Sequence, residues 1–150
     1  MKLKTIVENH PLKSKKGNKY LYTGTLLNGK PQSIGIQVFQ GGEFDTQRYE
    51  GEWENGVKQG KGVYIWSDDE YYEGEWRNDE RDGQGIYTWS DGRRYQGEWK
   101  DDMMHGQGVM TYADGGIRKG RWKKNQEVGG WDGWYIILLI IAVLWLIEQA

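Results

Sequence analysis

YEGEWRNDERDGQGIYTWSDG, residues 72–92, is the stretch whose reading decides the fold. Moved back 23 residues it lies on YEGEWENGVKQGKGVYIWSDD from Tyr49, and moved forward 23 it lies on YQGEWKDDMMHGQGVMTYADG from Tyr95. A worn copy, RKGRWKKNQEVGGW, begins at Arg118. A divergent copy begins at Tyr22, 27 residues before Tyr49, with Gly24, Gly29 and Gly35 in register. A period of this size settles the architecture before any single element is assigned.

Spacing within the copy sets the geometry. Tyr72, Gly74 and Trp76 are two apart, so on a strand they share one face, and Glu73 and Glu75 take the other, toward water. Gly83, Gly85, Tyr87 and Trp89 are also two apart, which predicts a second strand with its glycines on the aromatic face. Those glycines leave room for rings from neighbouring strands. A helix is excluded because each interior glycine costs about 1 kcal/mol and the apolar period is two. The residues that carry this pattern are Tyr49, Gly51, Trp53, Gly60 and Gly62; Tyr72, Gly74, Trp76, Gly83 and Gly85; and Tyr95, Gly97, Trp99, Gly106 and Gly108.

Turn chemistry sharpens the register. A two-residue Asp-Gly turn would set Tyr95 opposite Thr88 and mix the faces. A three-residue loop, Ser90 to Gly92, sets Tyr95 opposite Tyr87 and needs a left-handed last residue, which Gly92 supplies. Gly115 does the same one copy later, and Asp69 stands at that place one copy earlier. The other turn, from Arg77 to Asp82, is charged and reads as a longer exposed loop.

Composition excludes several functions. The chain of 150 residues has no Cys, so thiol chemistry and cysteine metal sites are out. Residues 43–114 carry 18 acidic and eight basic side chains, an acidic middle that argues against nucleic acid. His10 and His105 are the two histidines, and His105 reads as part of a solvated loop because the other copies hold Gln59 and Asp82 there. Glu50 and Glu52 repeat as Glu73 and Glu75 on the water face, with no pocket implied, and read as a solvated face that discourages edge aggregation. Gly60-Lys61-Gly62 lacks the frame of a phosphate loop. No catalytic grouping, metal site or cofactor site is expected, and the chain reads as non-enzymatic.

The recurring YEGEWxxxxxxGxGxY with its Asp-Gly turn resembles the MORN repeat (membrane occupation and recognition nexus). The match is close at 49, 72 and 95, partial at 118, where Arg118 replaces the first Tyr, and weak at 22, where Leu26 replaces Trp and Ser33 the first Gly of GxG. The resemblance implies an all-β fold, an elongated single-layer antiparallel sheet of stacked hairpins over residues 20–131. It also implies scaffolding, membrane-associated localisation, and protein or lipid contact.

Two segments flank the array. Residues 1–19 are basic, with a weak alternation at Leu3, Thr5 and Val7, and read as a loose arm or a cap on the sheet edge; His10-Pro11 and 14–18 read as loop. Residues 134–147, WYIILLIIAVLWLI, carry no charge. As a helix this run is about 21 Å long, short against a bilayer core of about 30 Å. It is apolar all round, and Trp134, Tyr135 and Trp145 bracket it like interfacial aromatics. Leu138, Ile141 and Leu144 complete the expected membrane anchor. Arg118, Lys119, Arg121, Lys123 and Lys124 precede the run as a basic collar for the membrane surface, which places the repeats on the cytoplasmic side. The expectation is a membrane-anchored scaffold or adaptor with a single-pass C-terminal anchor. Two alternatives stay open: a soluble phospholipid-headgroup binder with the tail helix packed on the sheet, and a self-assembling structural protein, a homo-oligomer.

Overall fold

The computed structural model describes residues 3–14, 17–40 and 47–130. They form one sheet of 11 antiparallel strands in which every strand pairs with its sequence neighbours. The strands are β1 (Lys4–Lys13), β2 (Lys19–Leu27), β3 (Lys30–Phe39), β4 (Arg48–Glu54), β5 (Val57–Ser67), β6 (Glu70–Arg77), β7 (Glu80–Thr88), β8 (Arg94–Lys100), β9 (Met103–Thr111), β10 (Ile117–Lys123) and β11 (Gln126–Gly130). No helix occurs among the described residues. The helix expected over 134–147 lies outside them.

One row of glycines crosses ten of the strands. Gly24, Gly35, Gly51, Gly62, Gly74, Gly85, Gly97, Gly108, Gly120 and Gly130 pair in succession from β2 to β11. The reason is the tyrosine two residues earlier. Tyr72 lies along its own strand, over Gly74 and the paired Gly85, and its hydroxyl donates to the Glu75 carbonyl at 3.0 Å. A Cβ at Gly85 would stand 2.5 Å from Tyr72 Cζ, and one at Gly74 would meet the Gly85 backbone at 2.5 Å. Tyr22, Tyr49 and Tyr95 repeat the contact, donating to the carbonyls of Thr25, Glu52 and Glu98. The glycine row is thus a trench for rings of the same strand as well as its neighbours.

Trp53, Trp76 and Trp99 then each close on two of these tyrosines, and Trp122 closes on Tyr95. Tyr22, Trp53, Tyr49, Trp76, Tyr72, Trp99, Tyr95 and Trp122 form an unbroken edge-to-face series with centroids 5.1–5.7 Å apart. Such contacts contribute roughly 0.5–1.5 kcal/mol each beyond area burial. The indole N–H groups of Trp53, Trp76 and Trp99 donate to the carbonyls of Gly35, Gly62 and Gly85 in the preceding copy. The series lets a single-layer sheet enclose its core, with all four tyrosines at 0% exposure. Lys58 and Arg81, at the same place in successive copies, lay their cations against this slab, Arg81 at 4.6 Å from the Trp99 ring centroid.

The turns correct several expectations. The three-residue loop after Trp89 is present: Trp89 N–H donates to the Arg93 carbonyl, Gly92 has φ +85°, and Tyr87 faces Tyr95. One copy earlier Asp69 is not left-handed. There the chain makes a two-residue turn, pairs Ser67 with Glu70, and leaves Trp66 as a bulge, so Tyr64 still faces Tyr72. Without a glycine at that place, a bulge at Trp66 takes up the extra residue.

The turn expected to be long, after Arg77, has two residues. Asn78 (φ 53°) and Asp79 (φ 73°) have the two positive φ values of a type I′ turn. The same geometry recurs at Asn28-Gly29, Asn55-Gly56, Asp101-Asp102 and Lys124-Asn125. Its second residue clips the previous copy. Asp79 N–H donates to the Lys58 carbonyl while Lys58 N–H donates to Asp79 Oδ1 at 2.8 Å. Asp102 with Arg81, and Asn125 with Met104, do the same. At the N-terminal step Pro31 has no N–H and Gly56 no side chain, so only the Gly56 N–H to Pro31 carbonyl bond is made.

At the N-terminus β1 pairs with β2, so residues 4–13 cap the sheet edge, and His10 and Pro11 are strand residues opposite Tyr22 and Leu21. Pro11 and the irregularity between Val7 and His10 interrupt the outer edge of β1. His105 also lies in a strand, β9, opposite Glu98.

Candidate functional site: a groove on the polar face

The face opposite the rings is not a uniform water face. Along its middle row Ile36, Glu50, Val63, Glu73, Ile86, Gln96, Val109 and Lys119 pair in succession from β3 to β10. Polar residues come from the first strand of each hairpin and β-branched aliphatics from the second. Val63, Ile86 and Val109 recur with the 23-residue period, and that recurrence is the sequence signal that the assignment of a polar face passed over.

Where the glycine row passes beneath, the face sinks into a groove of about 630 Å³ that runs from Ile34 on β3 to Gln96 on β8. Gly51, Gly62, Gly74 and Gly85 contribute to its floor. Val63 and Ile86 form the apolar spine, and Glu50, Glu52, Glu73 and Glu75 stand around it with Lys61. The carboxylates therefore line a pocket where none was expected. Glu50 and Glu73 are exposed, with no ion-pair partner among the described residues.

The second glutamate of each copy has another task. Between Gly51 and Trp53 the β4–β5 register slips, and the slack is taken up around Gly60, left-handed at φ +67°. Glu52 folds over that bulge and accepts the Lys61 N–H at 2.9 Å, as Glu98 accepts the Gln107 N–H at 2.8 Å. A Cβ at Gly60 would lie 2.7 Å from Glu52 Cδ, and Gly83 and Gly106 face Glu75 and Glu98 in the same way. The first glycine of each GxG pair thus turns toward the glutamate, and only the second lies in the tyrosine trench. In the divergent copy Ser33 holds the bulge position at φ 63°.

The basic collar is split. Lys119, Arg121 and Lys123 alternate along β10 on the polar face, exposed. Arg118 takes the tyrosine position on the opposite face and pairs with Glu127 at 3.1 Å, whose carboxylate raises the guanidinium pKa further. Lys124 sits in the type I′ turn. Trp134, Tyr135, Leu138, Ile141, Leu144 and Trp145 lie outside the described residues, and among the described residues no helix is long and apolar enough to cross a membrane. Nor do the described residues gather three His, Cys, Asp or Glu side chains that would hold a metal ion.

Stacked hairpins joined through a shared tyrosine–glycine trench define a tandem-repeat β protein with a surface groove on its polar face. The repeat itself is the MORN repeat: the family's sequence model matches residues 49–71, 72–93 and 95–117, so the chain carries three MORN repeats in tandem. The hairpins β2–β3 and β10–β11 continue the sheet on either side of that matched span. A comparison with curated proteins finds no match. MORN repeats point to a module that binds protein or membrane lipid.

Proposed function

We propose that the chain is a non-catalytic, membrane-tethered scaffold that holds a partner protein in the polar-face groove. The observation that carries the reading is the groove itself: an aliphatic spine ringed by four glutamates over a glycine floor, on a face the core does not need. Glycine lets a bound chain approach the backbone, while the carboxylates repel anionic lipid headgroups. The tether is the uncharged run 134–147, preceded by Lys119, Arg121, Lys123 and Lys124. Basic groups near an anionic leaflet contribute about 1 kcal/mol each.

The test is fractionation of cells that express the full chain or a chain ending at Asp132. The full chain is expected in the membrane pellet after a salt wash, and the shortened chain in the supernatant. Identical fractionation of the two would overturn the tether.

Lys119, Arg121 and Lys123 on one face of β10 favour a second reading, a soluble headgroup-binding module. It predicts a full chain that stays soluble without detergent and binds anionic liposomes with an affinity that fades as salt rises.

A further inference from the structure

The alternation along the groove specifies more than a protein partner. Neighbouring strands are about 4.8 Å apart, so Val63 and Ile86, two strands apart, are separated by roughly 9.6 Å, with Glu73 midway. A helix lying across the strands advances about 5.4 Å per turn. Its residues at i, i+3 or i+4, and i+7 therefore meet Val63, Glu73 and Ile86 in turn, and the mismatch of about 0.6 Å per step stays within side-chain reach across three strands. An extended segment repeats on one side at roughly 6.8 Å and falls out of step after one pair. The charge is one-sided: four carboxylates line the groove against one ammonium, Lys61.

Resting on the reading of the groove as the partner seat, we infer that its occupant is a basic amphipathic helix of a partner protein. Its apolar residues recur about every seven positions and seat on Val63 and Ile86. Lysine or arginine one turn on faces Glu50 and Glu73. The groove spans six strands, about 24 Å, which holds roughly 16 helical residues. Glu52 accepts the Lys61 N–H and Glu75 lies folded against Gly83, so Glu50 and Glu73 are the carboxylates most open to the partner.

The probe is a 16-residue peptide with leucine and lysine alternating by turn on one helix face and alanine elsewhere, passed over full-length protein captured on a sensor surface. Two controls accompany it: a scramble of the same composition, and a peptide with glutamate in place of lysine. The Leu/Lys peptide is expected to bind at least tenfold more tightly than either. Glu50→Gln with Glu73→Gln, and separately Val63→Thr with Ile86→Thr, are each expected to weaken it at least tenfold, while Glu54→Gln with Glu80→Gln leaves it unchanged. Equal binding of the scramble, or groove variants that bind like wild type, would overturn the inference. A chain that pellets with membranes yet ignores the peptide keeps the tether and refutes this partner class. A chain that takes the peptide and stays in the supernatant does the reverse.

Discussion

On the aromatic face Tyr22, Tyr49, Tyr72 and Tyr95 are completely enclosed, each ring lying in a trench of paired glycines; on the polar face, over the same glycine row, Glu50 and Glu73 stand in solvent and Ile34 is 72% exposed. Both faces are written by one 23-residue period. The first spends that period on packing, so its residue types are fixed by shape. The second carries a repeated arrangement of acid and aliphatic groups that the sheet's core does not use. Invariance of pattern alone therefore does not separate structure from function in such an array; enclosure does.

Alkaline titration should break the aromatic side most severely. Burial pushes the hydroxyls of Tyr22 and Tyr64 up to about 12, from an ordinary 10.0. It drives those of Tyr49, Tyr72, Tyr87 and Tyr95 higher still, with Glu70 adding to the effect at Tyr87. The folded pKa values are raised, so above about pH 10 the unfolded chain loses protons that the folded chain keeps, and stability falls as pH rises. Urea midpoints are expected to hold up to pH ~9 and to drop steeply between ~10 and ~12. A flat profile across that window would show that the tyrosines are not enclosed as described.

Gly85→Ala comes next. The new methyl collides with the Tyr72 ring and dislodges its hydroxyl from the Glu75 carbonyl. Overpacking of about 1–3 kcal/mol and a lost hydrogen bond of about 1 kcal/mol together predict a loss near 3 kcal/mol. That corresponds to roughly 6–12 °C in Tm by calorimetry.

Ser33→Gly works in the other direction. It frees the divergent copy from a left-handed serine at a place where later copies use Gly60, Gly83 and Gly106. Stabilisation of about 1 kcal/mol is expected in chemical denaturation. A loss of stability would mean that the Ser33 side chain contributes more than its backbone strain removes.

Much of this was legible in the residues. The period, the two faces and the ring-to-ring register across Ser90–Gly92 follow from spacing and from Gly92. What was not legible depends on contacts between strands, some of them in different copies. Asn78-Asp79 hides in a run of charges and forms a tight turn because Asp79 clips Lys58, which lies in the preceding copy. Gly83 belongs with Gly85 by parity, yet a bulge turns it toward Glu75. The groove escaped because the glutamates drew attention to one strand of each hairpin, while Val63 and Ile86, on the other strand, complete the site.

The division of labour between the faces is tested most directly by taking one variant, Glu50→Gln with Glu73→Gln, through both a thermal melt and the Leu/Lys peptide titration. Both side chains are exposed and unpaired in the sheet, so the account predicts a stability within about 0.5 kcal/mol of wild type and an affinity at least tenfold weaker. A variant that melts well below wild type while holding the peptide as tightly would contradict it.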